Sequence, residues 1–442
     1  MAETTVHFPR GFLWGTATAS HQVEGNNTNN NWYRWEQDGH LKEQPGLACD
    51  WWGGRWKEDM DRAAETYQNV HRFSVEWSRI QPDPDRWDED ALEHYRMMAR
   101  GMTERGIMPL VTLHHFTDPL WVYDECGWEM KDIELIFERY VRKVVEALKE
   151  YVTHWVTINE PNIYALSGYM TGEFPGCDKG FRVALKVLAN LLRAHAAAYQ
   201  AIHQIQPEAR VGYSLHYRPM VAARPWFPLD VLMRNIHYSG MNMAFPSAIS
   251  TGVMRTPMGN VRIPEVKGKQ DYLGVNYYSV DTVKFDLTNA REMFGRRSYP
   301  SGSDLSSTKF IANIPNGFFD ALQWATTTYP SLPLLVTENG VEDFQDVMRP
   351  RYIAQHVHQL WRAVNMNWPI KGYFHWTLVD NFEWDRGWTQ RFGLWGLDRE
   401  SQVRVRRSSV DLYADICKEN GLSSSMVTRY CPEVQQKIFP EM

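Results

Sequence analysis

The chain has 442 residues, of which 43% are hydrophobic and 23% charged, with a formal net charge of -6. That balance suits a soluble globular enzyme and argues against nucleic acid or an anionic membrane as the main partner. Two or three domains would fit this length, but α/β barrels reach such sizes as one unit, and residues 1–442 are read here as a single domain.

No run of about 18 apolar residues is present, and residues 1–10 lack the apolar core of a signal peptide, so a cytoplasmic protein is expected. Five cysteines, Cys49, Cys126, Cys177, Cys417 and Cys431, are scattered without a Cys-x-x-Cys pair. They read as reduced thiols rather than a disulfide frame or a zinc site.

Strand-like runs recur along the chain, each ending in polar residues. They fall at 12–17, 70–77, 107–113, 152–160, 209–215, 272–278, 334–338 and 372–377. Helical patterns lie between them. Asp132 is placed to cap a helix whose Ile133, Ile136, Phe137, Tyr140, Val141, Val144 and Leu148 share one face. A second such face runs from Phe181 through Ala184, Leu185, Leu188, Leu191, Leu192, His195 and Tyr199. Eight strands alternating with helices predict a single (β/α)8 TIM barrel, with its active site at the C-terminal ends of the strands. The stretches 217–270 and 284–307, rich in Pro, Gly, Ser and Arg, are read as irregular barrel insertions.

Two strand ends carry carboxylates. Leu334, Leu335 and Val336 run into Glu338, after which Gly340 is expected to let the chain turn. Val156, Thr157 and Ile158 run into Glu160, where Pro161 should end the strand. A carboxylate at the tip of a buried strand is costly unless something uses or pairs it. Glycoside hydrolysis uses such a pair, one as acid and one as the carboxylate on the opposite face of the sugar. Arg72 and a Tyr hydroxyl would keep one of them ionised, which pushes its neighbour toward the protonated form. Capping or salt-bridged strand ends are the plain alternative.

Thr157-Ile158-Asn159-Glu160-Pro161 and Val336-Thr337-Glu338-Asn339-Gly340 resemble the two signatures of glycoside hydrolase family 1, the β-glucosidases and their relatives. The resemblance extends over nearly the whole chain. It runs from Phe12-Leu13-Trp14-Gly15 and Gln22-Val23-Glu24-Gly25 through Arg72-Phe73-Ser74 and Asn276-Tyr277-Tyr278-Ser279 to Asp380-Asn381-Phe382-Glu383-Trp384. It implies a retaining mechanism with Glu338 as nucleophile and Glu160 as acid/base. Arg72, Asn276 and Tyr278 then fall where the family supports the nucleophile. Gln22, His115, Asn159, Trp376, Glu383 and Trp384 fall at its sugar-contacting positions. Neither cofactor nor metal is implied, and the partners are small β-glycosides or short oligosaccharides, glucosides foremost, with galactosides or fucosides beside them.

Strand alternation sends His114 and His115 to opposite faces, and the resemblance favours His115 for the pocket. His195 on its apolar face reads as structural, and His356 and His358 lack partners at metal-ligand spacing. Three departures stand out: Glu76 in place of a small polar residue, Thr117-Asp118 after His115-Phe116, and Ile311 near the place of an aglycone-side Trp. The last bears on leaving-group preference. Two other readings compete. A catalytically silent sugar-binding protein is opposed by retention of both glutamates. A 6-phospho-β-glycosidase is opposed by Glu383, Gln390 and Phe392 where phosphate-holding Ser, Lys and Tyr are expected.

Overall fold

A computed structural model describes residues 3–440, so Met1 and Ala2 of the N-terminal stretch lie outside the described residues. Eight strands close into one barrel. They are β1 (Leu13–Ala17), β2 (Val70–Ser74), β3 (Met108–His114), β4 (His154–Asn159), β5 (Arg210–His216), β6 (Tyr272–Tyr277), β7 (Leu334–Asn339) and β8 (Ile370–Trp376). Each pairs in parallel with its neighbours in sequence, and β8 pairs with β1 to close the ring. Every residue of β2, β6 and β7 is buried, as expected of parallel strands covered on both faces.

Helices form the outer layer: α1 (Trp56–Glu65), α2 (Glu89–Glu104), α3 (Ile133–Leu148), α4 (Phe181–Ile205), α5 (Ala244–Thr251), α6 (Pro315–Thr328), α7 (Arg349–Asn365) and α8 (Ser408–Glu419). The face predicted for α3 is buried at Ile133, Phe137, Tyr140, Val141, Val144 and Leu148. On α4 the inward set includes Ala184, Leu188, Leu191, Leu192 and His195. His195 is tied by Nδ1 to Thr157 Oγ1 at 2.6 Å and by Nε2 to the Lys269 carbonyl at 2.5 Å, a structural position.

Several local expectations are corrected. Asp132 does precede α3 but sits at φ 60° and makes no side-chain cap, because an N-cap carboxylate needs extended backbone to reach the amides ahead. The second strand stops at Ser74 rather than Trp77. The Glu76 amide donates to Tyr95 Oη at 3.0 Å, and the chain turns into a short helix, Trp77–Ile80. Pro161 does not merely end β4 but opens the helix Pro161–Leu166, where its missing N–H costs nothing. Gly340 serves close packing: a Cβ there would lie 2.0 Å from the Trp376 carbonyl oxygen.

Residues 217–270 are more regular than expected. They hold the helix Pro228–Tyr238, a π-helical turn Ser239–Met243, α5, and a hairpin of Val253–Thr256 with Gly259–Arg262. The Pro and Gly that suggested coil serve as helix punctuation: Pro228 starts a helix, and Gly252 ends α5 at φ 76°. From 284–307, Asp281–Phe285 and Gly295–Ser298 join Met220–Ala222 in a three-stranded sheet.

Candidate active site

Each catalytic candidate sits where the barrel ladder slips. Register shifts fall between Val275 and Asn276, between Val336 and Asn339, and between Val156 and Asn159. Such irregularities re-aim the side chains next to them. Glu160 itself lies at φ 44°, a left-handed conformation that a non-glycine residue adopts at a cost.

Around Glu338, Arg72 is fully buried and donates through Nη1 to Oε1 at 2.6 Å, while Tyr278 Oη donates to Oε2 at 2.6 Å. Arg72 is itself fixed by Thr112 Oγ1 at 2.9 Å and Asn159 Oδ1 at 2.6 Å. Glu160 has different company. Its Oε1 accepts from Asn276 Nδ2 at 2.8 Å and lies 3.0 Å from His216 Nδ1. Asn276 is held in turn by Thr337 Oγ1 at 2.6 Å.

Burial pushes the Glu338 carboxyl up to about 7, with Arg72 opposing and the charge of Glu160 adding to the rise. Burial also pushes Glu160 up, but His216, Asn276 and Arg72 outweigh it and hold that carboxyl below its usual range. This order reverses the expectation from the sequence, in which the carboxyl beside Arg72 and a Tyr hydroxyl is the ionised one; the pull of His216 is the largest contribution that opposes burial at Glu160.

The sugar-contacting candidates meet in the same place. His115, Asn159, Glu160, Glu338, Trp376, Glu383 and Trp384 line one cleft of about 1080 Å³. Arg72 and Asn276 stand behind the carboxyls, and Gln22 stands behind Glu383, donating through Nε2 at 3.1 Å. His115 lies parallel to both Trp376 and Trp384, with ring centroids 5.9 Å apart in each case. Its Nε2 accepts from Asn159 Nδ2 at 3.0 Å. Burial and the Arg72 charge push His115 well below the usual imidazole range, so the ring is neutral and carries its proton on Nδ1. That Nδ1 and Gln22 Oε1 are buried without protein partners. Burial, Asp385 and Glu338 raise Glu383 to about 8, so near pH 7 it is largely a neutral carboxyl that both donates and accepts. His114 points the other way and bonds Asp118 Oδ1 at 3.0 Å.

The sequence departures belong to supporting networks. Glu76 accepts from Ser20 at 2.9 Å, Ser78 at 2.8 Å and Thr117 at 3.0 Å, so Glu76 and Thr117 explain each other. Asp118 also accepts from Trp128 Nε1 at 2.9 Å and from Tyr164 Oη. Phe310 and Ile311 line the outer cleft. The residue that the sequence reading missed is His216. Its signal was its place at a strand tip, one residue beyond the predicted end of β5.

A buried carboxyl pair with unlike partners, set in an aromatic-walled cleft at the C-terminal mouth of a (β/α)8 barrel, defines a glycoside hydrolase. The profile of "Glycosyl hydrolase family 1" matches residues 4–422, and the chain belongs to that family, as a retaining hydrolase of the β-glucosidase type. It is 31% identical to a 1,4-beta-D-glucan glucohydrolase of Thermotoga neapolitana, over 94% of this chain and 99% of the relative. A beta-galactosidase of Saccharolobus solfataricus is 27% identical over 95% of this chain and 96% of its own. A beta-glycosidase from Pyrococcus horikoshii superposes with a TM-score of 0.90 at 34% identity, covering 98% of this chain and all of that one (100%).

Proposed function

We propose that this chain removes terminal non-reducing β-D-glucosyl residues, and also accepts β-galactosides and β-fucosides, in two displacements through a glycosyl ester on Glu338. The observation that carries this reading is the unlike clamping of the two carboxyls. Both oxygens of Glu338 are fixed by direct donors, one of them a full positive charge, while Glu160 shares one oxygen with Asn276 and His216. A Glu338 oxygen attacks the anomeric carbon, the bond to the aglycone oxygen breaks, and Glu160 gives that oxygen its proton. Glu160, now a carboxylate, takes a proton from water. The water oxygen attacks the anomeric carbon and frees Glu338. His115, Gln22 and Glu383 are the hydroxyl partners of the sugar, and Trp376 and Trp384 its apolar walls. Wider sugar acceptance is supported by the name of the Saccharolobus relative. Small glycosides and short cello-oligosaccharides in the cytoplasm are the proposed substrates.

A phosphorylated sugar fits less well. Gln390 puts a neutral amide, its Oε1 accepting from Thr308 Oγ1 at 2.8 Å, where an ammonium would be needed, and Phe392 offers no donor. With Glu383 largely neutral near pH 7, the absent ammonium at 390 and the absent hydroxyl at 392, rather than repulsion, carry this discrimination.

Azide rescue tests the roles. With an aryl β-glucoside of very acidic phenol, Glu160→Gly should still form the glycosyl-enzyme, stall, and release β-glycosyl azide when azide is added. Glu338→Gly should give the α-azide by a single inversion. NMR of the azide products decides: the opposite pattern exchanges the two roles, and wild-type hydrolysis by both variants places the site elsewhere.

A further inference from the structure

Two of the five cysteines stand together beside the cleft. Cys177 is exposed and Cys126 half-buried, whereas Cys49, Cys417 and Cys431 are buried. The Cys126 amide bonds the Tyr123 carbonyl at 2.9 Å, and the Cys177 thiol donates to the same oxygen at 3.7 Å. The two side chains also meet each other. Neighbouring bonds fix the loop 172–180 that carries Cys177: the Asp178 amide donates to Glu129 Oε1 at 3.1 Å, and the Gly180 amide to the Tyr169 carbonyl at 2.8 Å. Gly176 lets this loop lie against the π-helical turn Ser167–Thr171, since a Cβ there would lie 2.5 Å from the Gly168 carbonyl oxygen.

The same loop supplies Glu173 and Phe174 to the cleft wall. Phe174 packs against Phe116 and Trp384, with ring centroids 5.5 and 6.4 Å away. We propose that Cys126 and Cys177 are a redox modification site, a dithiol that closes to a reversible disulfide and so couples the thiol–disulfide state of the surroundings to the sugar cleft. In a reducing compartment such a bond is transient and regulatory. The oxidant is a small disulfide of the glutathione type. Burial, the Cys126 side chain and the nearby charges of Glu129 and Asp178 push the Cys177 thiol up to about 12, so Cys126 attacks first. Its thiolate takes one sulfur of the small disulfide, whose S–S bond breaks and releases a thiolate that picks up the proton. Cys177 then gives up its proton and attacks the Cys126 sulfur; the protein S–S bond forms, and the second small thiol leaves with that proton. Two protein thiols are oxidised and one small disulfide is reduced to two thiols. A disulfide holds its Cβ atoms about 3.8 Å apart, so closure draws Cys177 off the Tyr123 carbonyl toward Cys126. The loop follows, and Phe174 is loosened from Trp384.

For the test, the reduced protein is incubated with glutathione disulfide, its remaining thiols are blocked with N-ethylmaleimide, and a digest is read by mass spectrometry. A peptide linking Cys126 to Cys177 should appear, and should vanish with dithiothreitol. KM for 4-nitrophenyl β-glucoside should rise roughly two- to tenfold in the linked protein, the worth of one aromatic contact, and should return on reduction. Cys177→Ser should show neither change, and Cys126→Ser takes its place should that variant not fold. Both cysteines recovered blocked, or each capped by its own glutathione, overturns the proposal. A linked protein with unchanged KM overturns the coupling to the cleft. If the reduced wild type hydrolyses no aryl glucoside, the β-glucosidase reading fails instead, and the linked peptide still decides for the thiol pair.

Discussion

His216 acts on the Glu160 carboxyl at close range. Its Nδ1 lies 3.0 Å from Glu160, its ring lies parallel to Tyr278 with centroids 5.6 Å apart, and its Nε2 is buried without a partner. Its positive charge is the largest contribution that opposes burial at Glu160 and holds that carboxyl below its usual range. His216→Asn removes the positive charge and so raises the pKa of Glu160. The alkaline limb of kcat/KM should then move to higher pH, by about half a unit or more, because a partly buried charge at this distance is worth on the order of 1 kcal/mol. A pH–rate profile checks this. A drop in rate with both limbs unmoved would reduce His216 to a packing residue.

At the level of strands and helices, the eight apolar runs were legible, because buried parallel strands impose them directly, whereas His115 lies one residue beyond the strand Met108–His114 and its direction is set by the bend there rather than by strand alternation. What was not legible depends on atoms far away in sequence. The second strand gives way to a helix after Glu76 because Tyr95 captures an amide, and the helices of 217–270 hide behind prolines that punctuate them. Ending the fifth strand at Leu215 left His216 unassigned, although it is the strand's last residue. The site's paired glutamates were readable as costly strand tips. Their unlike partners were not, since Arg72 arrives from β2 while Asn276 and Tyr278 arrive from the end of β6. Gly340 shows the same dependence on remote atoms: the neighbouring strand forbids a side chain there. Gly340→Ala should push the Trp376 carbonyl aside and cost about 2–4 kcal/mol, an overpacking penalty, while raising KM through displacement of the Trp376 wall. Chemical denaturation and initial rates measure both, and a neutral substitution would show that the two strand ends can slide apart.

For the whole molecule, the site is a charge arrangement held against folding. Burial raises Glu383 to about 8, and burial raises Glu338 and Glu24 to about 7, against an ordinary value of 4.5. Between the ordinary and the raised values the folded state binds more protons than the unfolded chain, so each of these carboxyls makes stability fall as pH climbs. Buried histidines act with the opposite sign. Burial holds His21, His71, His356 and His375 near 3, against 6.5, so their contribution rises with pH up to about that ordinary value. The wild-type profile mixes the two, but the difference between Glu383→Gln and wild type cancels the histidines. At pH 5 both proteins carry a neutral group at 383, and their melting temperatures should lie close together. From about pH 4.5 upward the unfolded wild type gives up this proton while the folded state keeps it to about 8, so by pH 8 the Gln variant should melt several degrees higher while losing most of its glucosidase rate. Thermal melts at pH 5, 6.5 and 8 test it. Parallel profiles for the two proteins would mean that water reaches Glu383 freely and that the cleft floor is not the dry surface this burial implies.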